Sequence, residues 1–272
     1  MGVEHALPKR FARPVGPFVF LEHILSYDQA LNEVRERLIG IDSNPYRGIA
    51  ILTYGLSGAV EHMDSLGNHV KLRSGGVHWT KAGKGIVKYE IVRAEFRAAR
   101  SGVSVVRVWI NLPSKHKSEK PAYLAVSPGE IPKQKLAGGA GWIKILLGEY
   151  EEAIAKIPYY SKEFLYHIHL KAGRQFSLVT ETRFEYAAFL PANRAVINNS
   201  EFQTGELIMF TIPGEIIEIK NKNETAIDLI LFGGEPYRET IVSEGNFVMN
   251  TPHEITQAYN DYYDGKYGRI KP

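Results

Sequence analysis

Residues 44–61 read NPYRGIAILTYGLSGAVE, and 62–90 continue HMDSLGNHVKLRSGGVHWTKAGKGIVKYE. Short apolar runs alternate here with glycine-bearing turns. IAILTYGLSGAVEH reads as strand, turn, strand around Ser57-Gly58. Further turns are expected at Gly67-Asn68, Gly75-Gly76 and Gly83 to Gly85. The same rhythm extends outward. GPFVFLEHIL precedes the stretch, and VSVVRVWINL (Val103 to Leu112) follows it, dense in β-branched residues with Arg107 and Asn111 among them. Many short strands at this spacing predict a sandwich or barrel. One segment breaks the pattern. In DQALNEVRERL, Asp28 to Leu38, Ala30, Leu31, Val34 and Leu38 recur at helical spacing, with Ser26 or Asp28 as cap.

Ser114 to Pro132 is charged and proline-rich and reads as the connection between two halves. A second β text follows: WIKILLGE, FLYHIHLKAGRQFSL, FEYAAFL, AVINNSEF, ELIMFTI, EIIEIKN and AIDLILFGG. Two β-rich halves of similar length imply two barrel-like domains, divided as 1–135 and 136–272. The end changes character. Thr251 is the N-cap, Pro252 the first helical residue and Glu254 the third, which together make a capping box. Ile255, Ala258, Tyr259 and Tyr262 form an apolar face, and Gly265 stops the helix.

Composition removes several classes of function. The 272 residues contain no cysteine, which excludes disulfides, thiolate metal sites and cysteine nucleophiles. The net charge of +3 is spread among acids without a basic stripe, so direct nucleic-acid binding is not expected. No run of 18 apolar residues is present to span a membrane, and MGVEHALPKRF shows no apolar signal region. Ala6 breaks the myristoylation pattern, and the sequons at Asn198 and Asn223 read as chance. The expected location is the cytoplasm. GGAGW (138–142) and KAGKG (81–85) lack the ending of a phosphate loop and open no helix, so both are turns. No G-x-S-x-G, H-E-x-x-H or GxGxxG appears.

The blocks VGPFVFLEHI, RGIAILTYGLSGAVEHMDSLGN, GGVHWTKAGKGIV and GGEPYRETIVSEGNFVMNTPHEITQAYNDYYDGKYG resemble the pirin family. The likeness runs from Val15 to Gly268 and is thinnest in the middle of the second half. It implies an all-β bicupin, two jelly-roll-type β-barrels with a C-terminal helix. It also implies iron in the first barrel, held by a His-Pro-His pair and a His-x-Glu pair, in a family of which some members resemble quercetin 2,3-dioxygenases and others are linked to transcriptional co-regulation. Residues i and i+2 of a strand share a side, so each pair presents two ligands inward.

At those positions this chain has Asn44-Pro45-Tyr46 and Lys88-Tyr89-Glu90. Only Glu90 matches. An amide and a phenol are poor iron ligands, and an ammonium repels a cation. The expectation is therefore a degenerate metal site with no metal cofactor, in which Lys88 replaces the metal as positive centre. Glu90 would bond it, with Asn44 or Tyr46 as further acceptor. Such a cluster is a structural plug, a repurposed pocket for a small molecule, or a metal-free acid–base site. The leading expectation is a pirin-like binding or regulatory module with a small-molecule or protein partner. The alternative is a quercetinase-like dioxygenase or a metal-free enzyme using the first-barrel pocket.

Other histidines have plainer readings. His167 and His169 alternate with Phe164, Tyr166, Ile168 and Leu170, so the apolar set takes the core face and the histidines face outward or toward the other domain, as a solvated strand face. His62 and Asp64 are expected to anchor a turn, and His78 to lie at the surface or rim. A site joining His62, His78 and Glu90 has no spacing rule behind it.

Overall fold

The computed structural model describes residues 2–5, 13–26, 40–91, 103–210 and 214–270. The expected helix over Asp28 to Leu38 lies outside the described residues. The chain is an all-β bicupin. By internal contact it divides into two units: Met1–His5, Val19–Pro128 and Arg238–Pro272 form one, and Ala6–Phe18 with Gly129–Tyr237 the other.

The first unit has strands β1 (Gly2–His5), β2 (Phe18–Ser26), β3 (Gly40–Tyr46), β4 (Ile49–Ser57), β5 (Val60–Asp64), β6 (His69–Leu72), β7 (Val77–Lys81), β8 (Ile86–Ile91), β9 (Val103–Asn111) and β10 (Ala122–Val126). A short helix α1 (Ser114–Lys117) precedes β10. Six strands pair in the order β1-β2-β9-β4-β7-β10, and four in the order β3-β8-β5-β6. The segment read as a connection thus also supplies β10, an edge strand paired antiparallel with β7.

Alternation fills the barrel in layers. On β9, Val103 and Val105 belong to one apolar cluster and Trp109 to another, with Arg107 between them. On β2, Ile24 and Phe20 flank Glu22 in the same way. On β8, Ile86 lies in the Trp109 cluster, and Lys88 and Glu90 follow at the next inward positions. A polar layer therefore sits between two apolar ones.

The second unit repeats the plan. Its strands are β11 (Lys133–Lys135), β12 (Gly141–Leu147), a small hairpin β13 (Glu149–Tyr150) and β14 (Ala153–Ile154), β15 (Glu163–Leu170), β16 (Gln175–Val179), β17 (Glu185–Phe189), β18 (Ala195–Ile197), β19 (Ser200–Phe202), β20 (Leu207–Phe210), β21 (Ile216–Lys220) and β22 (Ile227–Gly234). The sheets run β11-β12-β15-β22-β17-β20 and β16-β21-β18-β19. Phe164, Tyr166, Ile168 and Leu170 join one apolar core, as the alternation requires.

The C-terminal segment differs from the division at residue 135. Hairpin β23 (Val242–Glu244) and β24 (Phe247–Met249) and helix α2 (Pro252–Tyr263) belong to the first unit. Phe247 bridges to Arg47, and Val87 joins Phe247, Met249, Ile255, Ala258 and Tyr267 in one apolar cluster. Arg47 donates to Asp261 at 2.5 Å. Thr251 accepts from the Glu254 amide while Glu254 accepts from the Thr251 amide, so the capping box is formed. No helix among the described residues is long and apolar enough to cross a membrane.

Candidate functional site

Of the four singled-out positions, Lys88 and Glu90 meet on β8, while Asn44 and Tyr46 lie on the neighbouring strand β3. Lys88 and Glu90 point to the same side of β8, and the Lys88 ammonium lies 2.6 Å from Glu90 Oε1. Asn44 is the cross-strand partner of Lys88 and is half-buried; Tyr46 faces Ile86. Tyr46 turns its ring to Trp109, edge-on at 5.8 Å, within the apolar cluster. Burial there pushes its phenol up to about 12.

The cluster is larger than the sequence suggested. Arg107 donates to the second oxygen of Glu90 and, at 2.9 Å, to Glu22. His62 reaches Glu90 with Nδ1 at 3.4 Å and Asp64 with Nε2 at 3.0 Å. The Thr53 hydroxyl donates to Glu90 Oε1 at 3.3 Å. Apart from His62, two cations face three carboxylates. Lys88, Glu90 and Arg107 are each at most 5% exposed, so water does not screen them. Burial lowers the Lys88 ammonium to about 8, against the pull of Glu90. Burial alone would raise Glu90, but Lys88 and Arg107 hold it well below the usual carboxylate range. Arg107 is pushed further up by Glu90 and Glu22 against its own desolvation.

Asp64 also does what its turn requires, accepting from the amides of Leu66 (2.9 Å) and Asn68 (3.2 Å). His78 corrects its expectation. It is 2% exposed, stacks on His62 at 5.4 Å between centroids, and bonds Tyr123. Burial lowers its imidazole to about 3. The missed members left one signal each: Glu22 and Arg107 are charges on the inward parity of otherwise apolar strands.

His167 is a second correction. It is buried rather than solvated, and it shares Asp228 Oδ1 with His169, at 2.9 and 2.8 Å. Trp142 stacks on His169 at 4.9 Å. Asp228, opposite His169 on β22, supplies the partner that lets an imidazole be buried. Among the described residues, no group of three or more His, Asp or Glu side chains converges as metal ligands.

Two stacked-sheet barrels in one chain, each a six-stranded sheet against a four-stranded one, define a bicupin. The sequence profile of Pirin matches residues 2–110, and that of the Pirin C-terminal cupin domain matches residues 165–268. A pirin-like protein of Solanum lycopersicum is 31% identical over 231 residues, covering 84% of this chain and 77% of that one. The chain belongs to the pirin family. A quercetin 2,3-dioxygenase of Acinetobacter baumannii has a similar solved structure, with TM-score 0.81 and 24% identity over 100% of this chain and 98% of its own. A bacterial pirin of Escherichia coli, solved in complex with nickel(II), superposes with TM-score 0.64 at 18% identity, covering 86% of this chain and 92% of its own.

Proposed function

We propose that this pirin works without a resident metal, as a binding or regulatory module rather than a dioxygenase. The reading rests chiefly on one observation: the Lys88 ammonium lies 2.6 Å from Glu90, the one carboxylate a metal at these positions would use. The other Glu90 oxygen is taken by Arg107. A divalent cation would have to displace two buried cations from one carboxylate, with an amide and a phenol as its other donors. The donor set does not fit iron or nickel.

The buried cluster is then a plug that sets the shape of the first barrel, and partners are met elsewhere on the molecule. A partner would be a protein surface or a small molecule, recognised by groups other than Lys88 and Glu90. The dioxygenase reading draws on the likeness to the Acinetobacter enzyme, and needs an open metal coordination site that these residues do not offer.

Elemental analysis separates the two. The protein is purified without added metal, then incubated with Fe(II) or Ni(II) under argon and desalted. The expected content is below about 0.1 metal per chain in each case. A value near one per chain, with consumption of quercetin, would overturn the proposal.

A further inference from the structure

The second barrel holds a cavity of about 540 Å³, within the range of about 300–1,000 Å³ usual for small-molecule sites. Its wall is aromatic: Tyr150, Phe164, Tyr166, Phe184 and Tyr186 contribute to it. Phe164 lies 4.7 Å from Tyr166 and 5.4 Å from Tyr186, centroid to centroid. Two hydroxyls are tied to backbone. Tyr166 donates to the Glu149 carbonyl, and Tyr186 accepts from the Glu181 amide at 2.8 Å. These bonds fix the rings in place, so the cavity is shaped before any ligand arrives.

The charge in the wall is one-sided. Glu149, Glu151, Glu163 and Glu181 line it, against Lys162 alone. Glu149 receives the Tyr159 hydroxyl, and Glu181 meets Arg183 at 3.5 Å. Glu163 is different. It is 4% exposed and accepts from the Tyr160 amide at 3.2 Å and from the Ser161 hydroxyl. No cation acts on it among the described residues, and burial pushes its carboxyl up to about 7.

We infer that this cavity binds a small organic cation with an aromatic or branched alkyl body, its charge seated against Glu163. Aromatic faces attract a cation and shed water from its apolar body. A buried carboxylate without a counter-ion gains most from such a partner. An anion of the same shape meets four carboxylates instead. The inference goes beyond the reading of the first barrel and does not depend on its metal content.

Binding then couples to protons. The cation favours the ionised Glu163, so affinity rises with pH through the range where that carboxyl titrates. The tyrosines that line the cavity with it, Tyr150, Tyr159, Tyr166 and Tyr186, are all pushed up and stay neutral across that range. Glu149, Glu151, Glu181, Lys162 and Arg183 are the other charged groups around it.

The test is calorimetric titration of the full chain with benzyltrimethylammonium, benzyl alcohol and benzoate. The cation should bind at least about tenfold more tightly than either comparator. Going from pH 8 to pH 6 should weaken the cation about tenfold and leave benzyl alcohol unchanged, since a carboxyl near 7 is mostly ionised at one end and mostly protonated at the other. Glu163→Gln should remove both the preference and the pH dependence, with far-UV circular dichroism unchanged. If that variant does not fold, the pH series on the unaltered chain decides. Equal binding of cation and alcohol, pH-independent binding of the cation, or no binding of any probe would overturn the inference.

Discussion

At Lys88, burial and the Glu90 carboxylate act in opposite directions on the same ammonium, and at Glu90 two cations share one carboxylate. Removing one partner of such a set leaves the rest uncompensated. Lys88→Ala should therefore cost about 3–5 kcal/mol in urea unfolding. The double variant Lys88→Met with Glu90→Gln should recover part of that loss; a cost below about 1 kcal/mol for Lys88→Ala would mean that the pair is solvated. Acid acts through the neutral imidazoles. Burial lowers His78 to about 3 and His23 to about 4, from about 6.5 in the unfolded chain. Below pH 6.5 the unfolded chain takes up protons first, so the melting temperature should fall steadily from pH 6.5 toward pH 4. A flat profile over that window would contradict the burial of both rings. The pairing of Lys88 with Glu90 was legible because i and i+2 share a strand face. Arg107 was visible only as a charge in an apolar strand, and no local rule names a partner 17 residues away.

On the level of elements, α2 was legible almost whole. Its N-cap, its proline and its acidic third residue are local chemistry, and the structure forms every bond they imply. Thr251→Ala should cost about 1 kcal/mol. What α2 docks on was not legible, because an apolar stripe does not state which surface covers it. The helix buries Ile255 and Ala258 in a cluster with Val87, and the turn after it closes on Gly85, whose φ of +135° suits glycine and where an added Cβ would fall 2.0 Å from the Tyr267 ring. Gly85→Ala should thus destabilise more than the loss of the cap, as thermal unfolding of the two variants would show. The pairing of β3 with β8 bears on the metal question. Asn44 lies opposite Lys88, so combining Asn44→His, Tyr46→His and Lys88→His should create a site that takes up Co(II), seen by its visible absorption. The variant should be less stable than the parent, because Tyr46 fills space beside Trp109. A folded triple variant that stays colourless would show that these positions do not converge.

For the whole molecule, the two-barrel plan followed from counting strands and turns, while the boundary between units did not. Arg238–Pro272 follows the second barrel in sequence and belongs to the first in space. If no metal is part of the folded state, chelator should leave the melting temperature of the whole chain unchanged. A fall of several degrees would point to a metal that the reading of Lys88 does not allow.

Because the residues that seal Arg47, Gly48 and Gly85 follow the second unit in sequence, the first barrel is synthesised well before the hairpin and helix that cover it exist. On the ribosome it would wait, incomplete, through the emergence of the entire second unit. A nascent chain halted at residue 237 should be cut by protease within residues 40–128, while one carrying residues 238–270 clear of the exit tunnel should resist. The order of synthesis and the order of completion thus run opposite ways in this protein.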